Sequence, residues 1–250
     1  MGKKNSLDPL FKIFGNQFKP NGSNQTGQTK RVKREAKMNW ITGTLGASIG
    51  KKLMMAITGF SFCGFLAAHL AGNLTIYGGQ DAFNSYATHL HSLGPLLTVA
   101  EMVLLTFFLV HVITGLILFL GNLKARPVRY AVNKSAGGRT FGSATMPYTG
   151  VILLAFIIFH LMNFHFVDKT HTTIFKIVAD AFANTGYVLV YILAMVVAAI
   201  HVSHGFWSAF QTVGANHPKY MPLIRMAGIV FAVVVGIGFG FLPIYIFLLA

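Results

Sequence analysis

Ten histidines, six carboxylates and one cysteine carry most of the reactive chemistry in this 250-residue chain. Four of the histidines, His69, His111, His160 and His201, each lie deep inside a long apolar run. A neutral imidazole offers one nitrogen lone pair and one N–H, so it can bind metal, carry a proton or hydrogen-bond. A single such residue in an apolar helix is ordinarily a structural hydrogen-bonding group. Four of them in four successive runs, with none in the fifth, point to a functional set, because polar groups in an apolar interior are costly. Cys63 stands alone, which excludes a disulfide framework and any cysteine-based zinc or iron–sulfur site. It reads as a small buried residue. Glu101 is the only acid within an apolar run.

The elements that must position these groups follow from composition. The chain is 54% hydrophobic with a mean hydropathy of +0.61, and only 10% of its residues are charged. Soluble domains average about 25% charged, so the chain belongs to the membrane class. Five apolar stretches, roughly 53–75, 96–121, 145–167, 185–210 and 226–249, are each long enough to span a bilayer as a helix. They are continuous rather than alternating, and an open sheet edge has no partner in lipid, so strands are excluded. The expected fold is an all-α bundle of five transmembrane helices covering residues 47–250. Residues 1–46 form a polar, basic and flexible tail, with an Asn/Gly/Gln-rich patch and no signal peptide.

The net charge of +14 raises the question of nucleic acid, and the placement of the charges answers it. Eleven cations precede or include Lys52, five lie between the second and third runs, and Lys219 and Arg225 join the fourth to the fifth. Only Lys169 and Lys176 fall in the other connections. Eighteen of twenty cations thus share one side, which the positive-inside rule makes cytoplasmic. The N-terminus is expected inside and the C-terminus outside, in a multi-pass protein of the cytoplasmic (inner) membrane, with lipid as its surroundings and no nucleic-acid partner. Residues 81–92 and 171–184 mix apolar and polar residues at helical spacing and read as short interfacial helices.

Depth pairs the histidines. At about 1.5 Å per residue from the cytoplasmic end, His69 and His160 sit roughly 22–26 Å in, and His111 and His201 about 15 Å in. The two levels are expected to be about 10 Å apart on that count. Two stacked bis-imidazole sites are what two haem b groups require, with all four histidines as axial ligands to iron. No carboxylate or cysteine is near enough in sequence to complete a four-ligand zinc or copper site. Ala68 and Gly72, Thr114 and Gly115, and Ala198, Ala199 and Gly205 offer small neighbours that permit a flat macrocycle.

Several spaced segments then resemble a known family. HLAGNL (69–74) with DAFNSY (81–86), Glu101 followed by His111, RPVRYAV (126–132), FHLMNF (159–164) and HVSHGFWSAFQTVGANHPKY (201–220) resemble the cytochrome b membrane anchor of succinate dehydrogenase/fumarate reductase. The similarity is to the single-chain, five-helix, dihaem type, over about residues 47–250. It implies His69 and His160 on an outer haem and His111 and His201 on an inner one, in agreement with depth. It further implies an electron-transfer subunit that serves an enzyme. Dicarboxylate chemistry would reside in a separate flavoprotein subunit, an iron–sulfur subunit would dock on the cytoplasmic face, and menaquinone would exchange the electrons.

Other residues carry finer expectations. Glu101 is a candidate proton donor or acceptor for quinone near the outer level. Asn73, Asn84, His89 and His91 are candidate partners of a quinone carbonyl or a propionate. His204, Ser48, Lys51, Arg139 and Ser143 are candidate propionate contacts at the inner level, while His165, His171 and His217 read as interface or loop residues. GIGFG (236–240) imitates a phosphate loop but sits within the fifth run with no strand before it, so close helix packing is expected there, with a kink at Pro243. The competing readings are a cytochrome b anchor of another dehydrogenase or hydrogenase, and a haem-free transporter or scaffold.

Overall fold

A computed structural model describes residues 43–44, 46–125 and 140–249. The basic tail to residue 42 and Arg139, with the RPVRYAV segment, lie outside the described residues. From Gly50 onward the chain forms one compact unit, and the residues before it fall outside that unit.

Among the described residues the structure is helical, with five long helices and two short ones. In chain order these are α1 (Ser48–Asn73), a 3₁₀ turn (Leu74–Gly78), α2 (Gln80–Ser92), α3 (Pro95–Lys124), α4 (Phe141–Phe164), α5 (Ile174–Phe182), α6 (Thr185–Thr212) and α7 (Met221–Leu249). The five long helices are apolar and long enough to cross a membrane. Even the shortest, α4 with 24 residues, extends about 36 Å against a hydrocarbon layer of about 30 Å.

Helix ends overrun the apolar runs because polar residues cap them. Thr140 opens α4 with a reciprocal capping box: its Oγ1 accepts from the Ser143 N–H, and the Ser143 hydroxyl accepts from the Thr140 N–H. Thr173 and Asn184 accept the first amides of α5 and α6 in the same way. Gly79 and Gly94, at φ 90° and 53°, make the sharp reversals on either side of α2 that a residue with a Cβ resists. Pro147 and Pro243 both lie within continuous helices.

The best-packed region lies at one end of the bundle. There α2 and α5, each joining two long helices, lie against one another, and the Asn84 side chain accepts the Phe175 N–H at 3.0 Å. Ile76, Phe83, Phe182, Val188, Tyr191, Leu242 and Ile246 form the buried cluster beneath them. The closest seam between long helices joins α6 to α7. A Cβ on Gly236 would stand 3.0 Å from the Ala199 Cβ, and one on Gly228 3.1 Å from the Phe206 ring. Small residues bring two backbones together where lipid supplies no hydrophobic drive between helices. The glycine run 236–240 is thus helix packing, with Gly238 against Leu70 of α1.

Away from that seam the bundle is less filled. Only 6% of the most apolar window of α3, and 6% of that of α4, is buried. All four span histidines are half-buried, between the dense end cluster and the opposite, basic end. Lys51, Lys52, Lys124, Lys219 and Arg225 lie at helix ends on that basic side, where Arg225 rests over the Trp207 ring at 4.7 Å. Lys169 and Lys176 lie with the short helices. Among the described residues, the cations thus divide between the two ends of the bundle.

Candidate functional site: two histidine pairs in the bundle

His69 on α1 and His160 on α4 meet, with ring centroids 6.0 Å apart and planes at 87°. Two imidazoles that bind one metal from opposite sides at about 2.0–2.1 Å have their nitrogens about 4 Å apart. Adding about 1.1 Å from each nitrogen to its ring centre gives about 6.3 Å between centroids. The observed separation suits one metal between the two rings. Phe65 stacks on His69 at 5.2 Å, and Phe239 lies 5.3 Å from it. Phe156, Phe164 and Tyr191 surround His160 at 5.9, 5.3 and 6.0 Å. Polar support is sparse here. The Tyr191 hydroxyl stands 3.5 Å from His160 Nδ1, and Asn73 Nδ2 stands 3.5 Å from His69 Nδ1 while donating to the His69 carbonyl at 2.8 Å. Contacts at 3.5 Å are at the outer limit of a hydrogen bond.

His111 on α3 and His201 on α6 are held differently. Thr58 Oγ1 is 2.9 Å from His111 Nδ1, and Thr149 Oγ1 is 3.0 Å from His201 Nδ1. Both hydroxyls also reach back to carbonyls of their own helices, Thr58 to Met54 at 2.8 Å and Thr149 to Thr145 and Met146 at 3.1 Å. Thr58, Thr114 and Thr149 are the buried polar residues among those described. Glycine follows each supporting threonine, and a Cβ there would stand 3.9 Å (Gly59) or 3.6 Å (Gly150) from the imidazole Cε1.

His69 and His160, paired by depth, lie side by side. The spacing of the levels differs from the sequence count. Thr58, at the level of His111, precedes His69 by eleven residues, and Thr149 precedes His160 by the same number. That is about 16 Å of helix axis rather than about 10 Å. Counting from the helix ends at Ser48, Phe141, Lys124 and Thr212 raises the separation only to about 12 Å, and the direct threonine contacts give the larger figure.

Some of the small residues and polar candidates serve other ends. The space beside Gly72, expected to admit a macrocycle, is filled by the Tyr86 ring, which a Cβ would strike. Ala199 packs against α7. Asn84 ties α2 to α5, and the Ser143 hydroxyl is engaged in the α4 cap. His204 Nδ1 lies 3.3 Å from Thr140 Oγ1, beside the Trp207 ring at 4.7 Å. His91 Nδ1 contacts the Ala87 carbonyl at 2.7 Å, within its own helix. Glu101 is half-buried in the second turn of α3, at the short-helix end, while Ser48 and Lys51 lie in the first turn of α1. His89, His165, His171 and His217 are exposed.

Thr58, Thr149, Asn163 and Tyr191 went unnoticed in the sequence. A signal for the threonines is present as an internal repeat. Thr-Gly precedes His-Leu by eleven positions in both α1 (58, 59, 69, 70) and α4 (149, 150, 160, 161). His-Val-x-x-Gly recurs at 111–115 and 201–205. The long–short–long units α1–α2–α3 and α4–α5–α6 are thus built alike, and each histidine pair takes one member from each unit.

Comparison of the chain with protein-family models, with curated proteins and with solved structures finds no match.

Proposed function

We propose that this chain is the cytochrome b membrane anchor of a succinate:quinone oxidoreductase. It would bind two b-type haems and carry electrons between a cytoplasmic iron–sulfur subunit and membrane quinone, with menaquinone as the quinone that the family resemblance suggests. The observation that carries the reading is the 6.0 Å approach of His69 to His160, two imidazoles from separate helices at the spacing of a shared metal. The ordered motifs of the sequence support the same reading. The flavoprotein subunit would complete the enzyme. Cations at one end of the helices favour that end as cytoplasmic, with the N-terminus inside and the C-terminus outside.

When bound, haem supplies a one-electron iron couple whose potential depends on its axial ligands and their hydrogen bonds. His69 and His160 would hold one group and His111 and His201 the other, each through a ring nitrogen. The half-buried state of all four rings suits them to face a group between helices. Quinone reduction consumes two electrons and two protons. Glu101 would exchange a proton between a carboxyl oxygen and a quinone oxygen at the short-helix end. Because that end lies opposite the cations, electrons arriving there from the cytoplasmic face would move charge across part of the membrane field.

Purification of the tagged chain from its native membrane in mild detergent tests the reading. A reduced-minus-oxidised spectrum with a b-type band, and co-purifying flavin and iron–sulfur subunits with succinate–quinone activity, are expected. Absence of a b-type band overturns the haem assignment. A b-type band with a different dehydrogenase or hydrogenase attached overturns the succinate assignment alone.

A further inference from the structure

A threonine has one hydroxyl proton. On α1 that proton is directed to the Met54 carbonyl at 2.8 Å, and on α4 to the Thr145 or Met146 carbonyl at 3.1 Å. A hydroxyl that gives its proton to its own helix accepts toward the imidazole nitrogen it faces, here at 2.9 or 3.0 Å. The nitrogen facing it must then carry the hydrogen. His111 and His201 are thereby fixed with Nδ1 protonated, and Nε2 is left with a free lone pair. The same device occurs twice, at equivalent places in the two repeated units, with the same eleven-residue spacing to the next histidine. Among the described residues, no equivalent acceptor stands within 3.4 Å of Nδ1 in His69 or His160.

We propose that Thr58 and Thr149 are a matched pair of positioning residues, setting the tautomer of His111 and His201 so that both Nε2 atoms face a common ligand. This rests on the bis-imidazole reading of the pair and extends it to groups that touch no iron. Two consequences follow. The Nδ1–H bond makes each imidazole a stronger electron donor, favouring the oxidised metal. It also removes the alternative Nε2–H form, which cannot ligate through Nε2. Replacing the acceptor by a methyl group should weaken metal retention at that level by roughly 10–100-fold, the usual effect of deleting such a partner.

The test uses Thr58→Val and Thr149→Val, which keep shape and remove the oxygen, with Thr58→Ser restoring it. Two readouts are taken on the full chain in detergent. Nitrogen-15 NMR of labelled histidine in the haem-free protein reports which ring nitrogen is protonated. It should show Nδ1–H for His111 and His201, lost at His111 alone in Thr58→Val and regained in Thr58→Ser. Redox titration of the haem-loaded protein should then show one component moved to higher potential in each valine variant and the other unmoved. Wild-type His111 and His201 protonated at Nε2, or valine variants with both components unmoved, overturn the proposal. A wild-type protein that binds no haem yet gives the Nδ1–H pattern leaves the positioning intact and overturns the haem reading instead.

Discussion

At the level of His111 and His201 each ring meets a threonine oxygen at 2.9 or 3.0 Å, whereas at the level of His69 and His160 the nearest side-chain partners stand at 3.5 Å. The second pair is instead surrounded by Phe65, Phe156, Phe164, Tyr191 and Phe239. One pair is oriented by hydrogen bonds and the other by aromatic packing. The difference follows from position. The aromatic pair adjoins the dense cluster under α2 and α5, where bulky side chains fix a ring by contact. The threonine pair lies farther from that cluster, with Phe62 at 5.3 Å from His111, and is oriented by directional bonds to the buried Thr58 and Thr149. Deleting a hydroxyl should therefore disturb one level, and disturbing packing should affect the other.

The largest effect is expected from the ligands themselves. His69→Ala and His111→Ala should each lower the haem content from two per chain to about one, removing different components of the redox titration. Loss of both haems from either variant would mean that the two levels do not bind independently. Next comes Glu101→Gln. Proton transfer by a placed side chain contributes about 10²–10⁴ in rate, so quinone turnover should fall by about 10² with both haem components retained. Unchanged turnover would remove Glu101 from the proton path and leave both pairs as they are.

Packing at the aromatic level is tested at Gly72. Alanine there drives a methyl group into the Tyr86 ring, and overpacking typically costs about 1–3 kcal/mol. Thermal unfolding of Gly72→Ala should shift downward, and the absorption band of the aromatic-level component should broaden while the other is unaltered. The smallest effect belongs to Tyr191→Phe. The lost hydroxyl lies 3.5 Å from His160 Nδ1, so its removal should move the associated potential less than either threonine substitution does. A larger shift would show that polar support governs both levels alike.

Much of this arrangement was legible in the residues, for identifiable reasons. Apolar runs of about twenty residues have few folded alternatives in lipid, so the five spans follow from length and hydropathy. Residues 81–92 and 171–184 became α2 and α5 because their helical periodicity persists outside the apolar runs. The helix starts were less legible. Thr140-Phe-Gly-Ser reads as polar loop until the reciprocal bonds of Thr140 and Ser143 are seen to begin the helix. The role of Gly72 could not be read locally, since the ring it accommodates, Tyr86, lies on another helix. Thr58 and Thr149 look like ordinary span threonines singly. Only alignment of the two halves on Thr-Gly and His-Leu singles them out, and that comparison needs no homologue.

The most direct measurement is the ratio of extractable haem b to purified chain, taken with a redox titration of the same sample. The account predicts two haems per chain and two resolved components. A ratio near one, or no b-type haem at all, would contradict it.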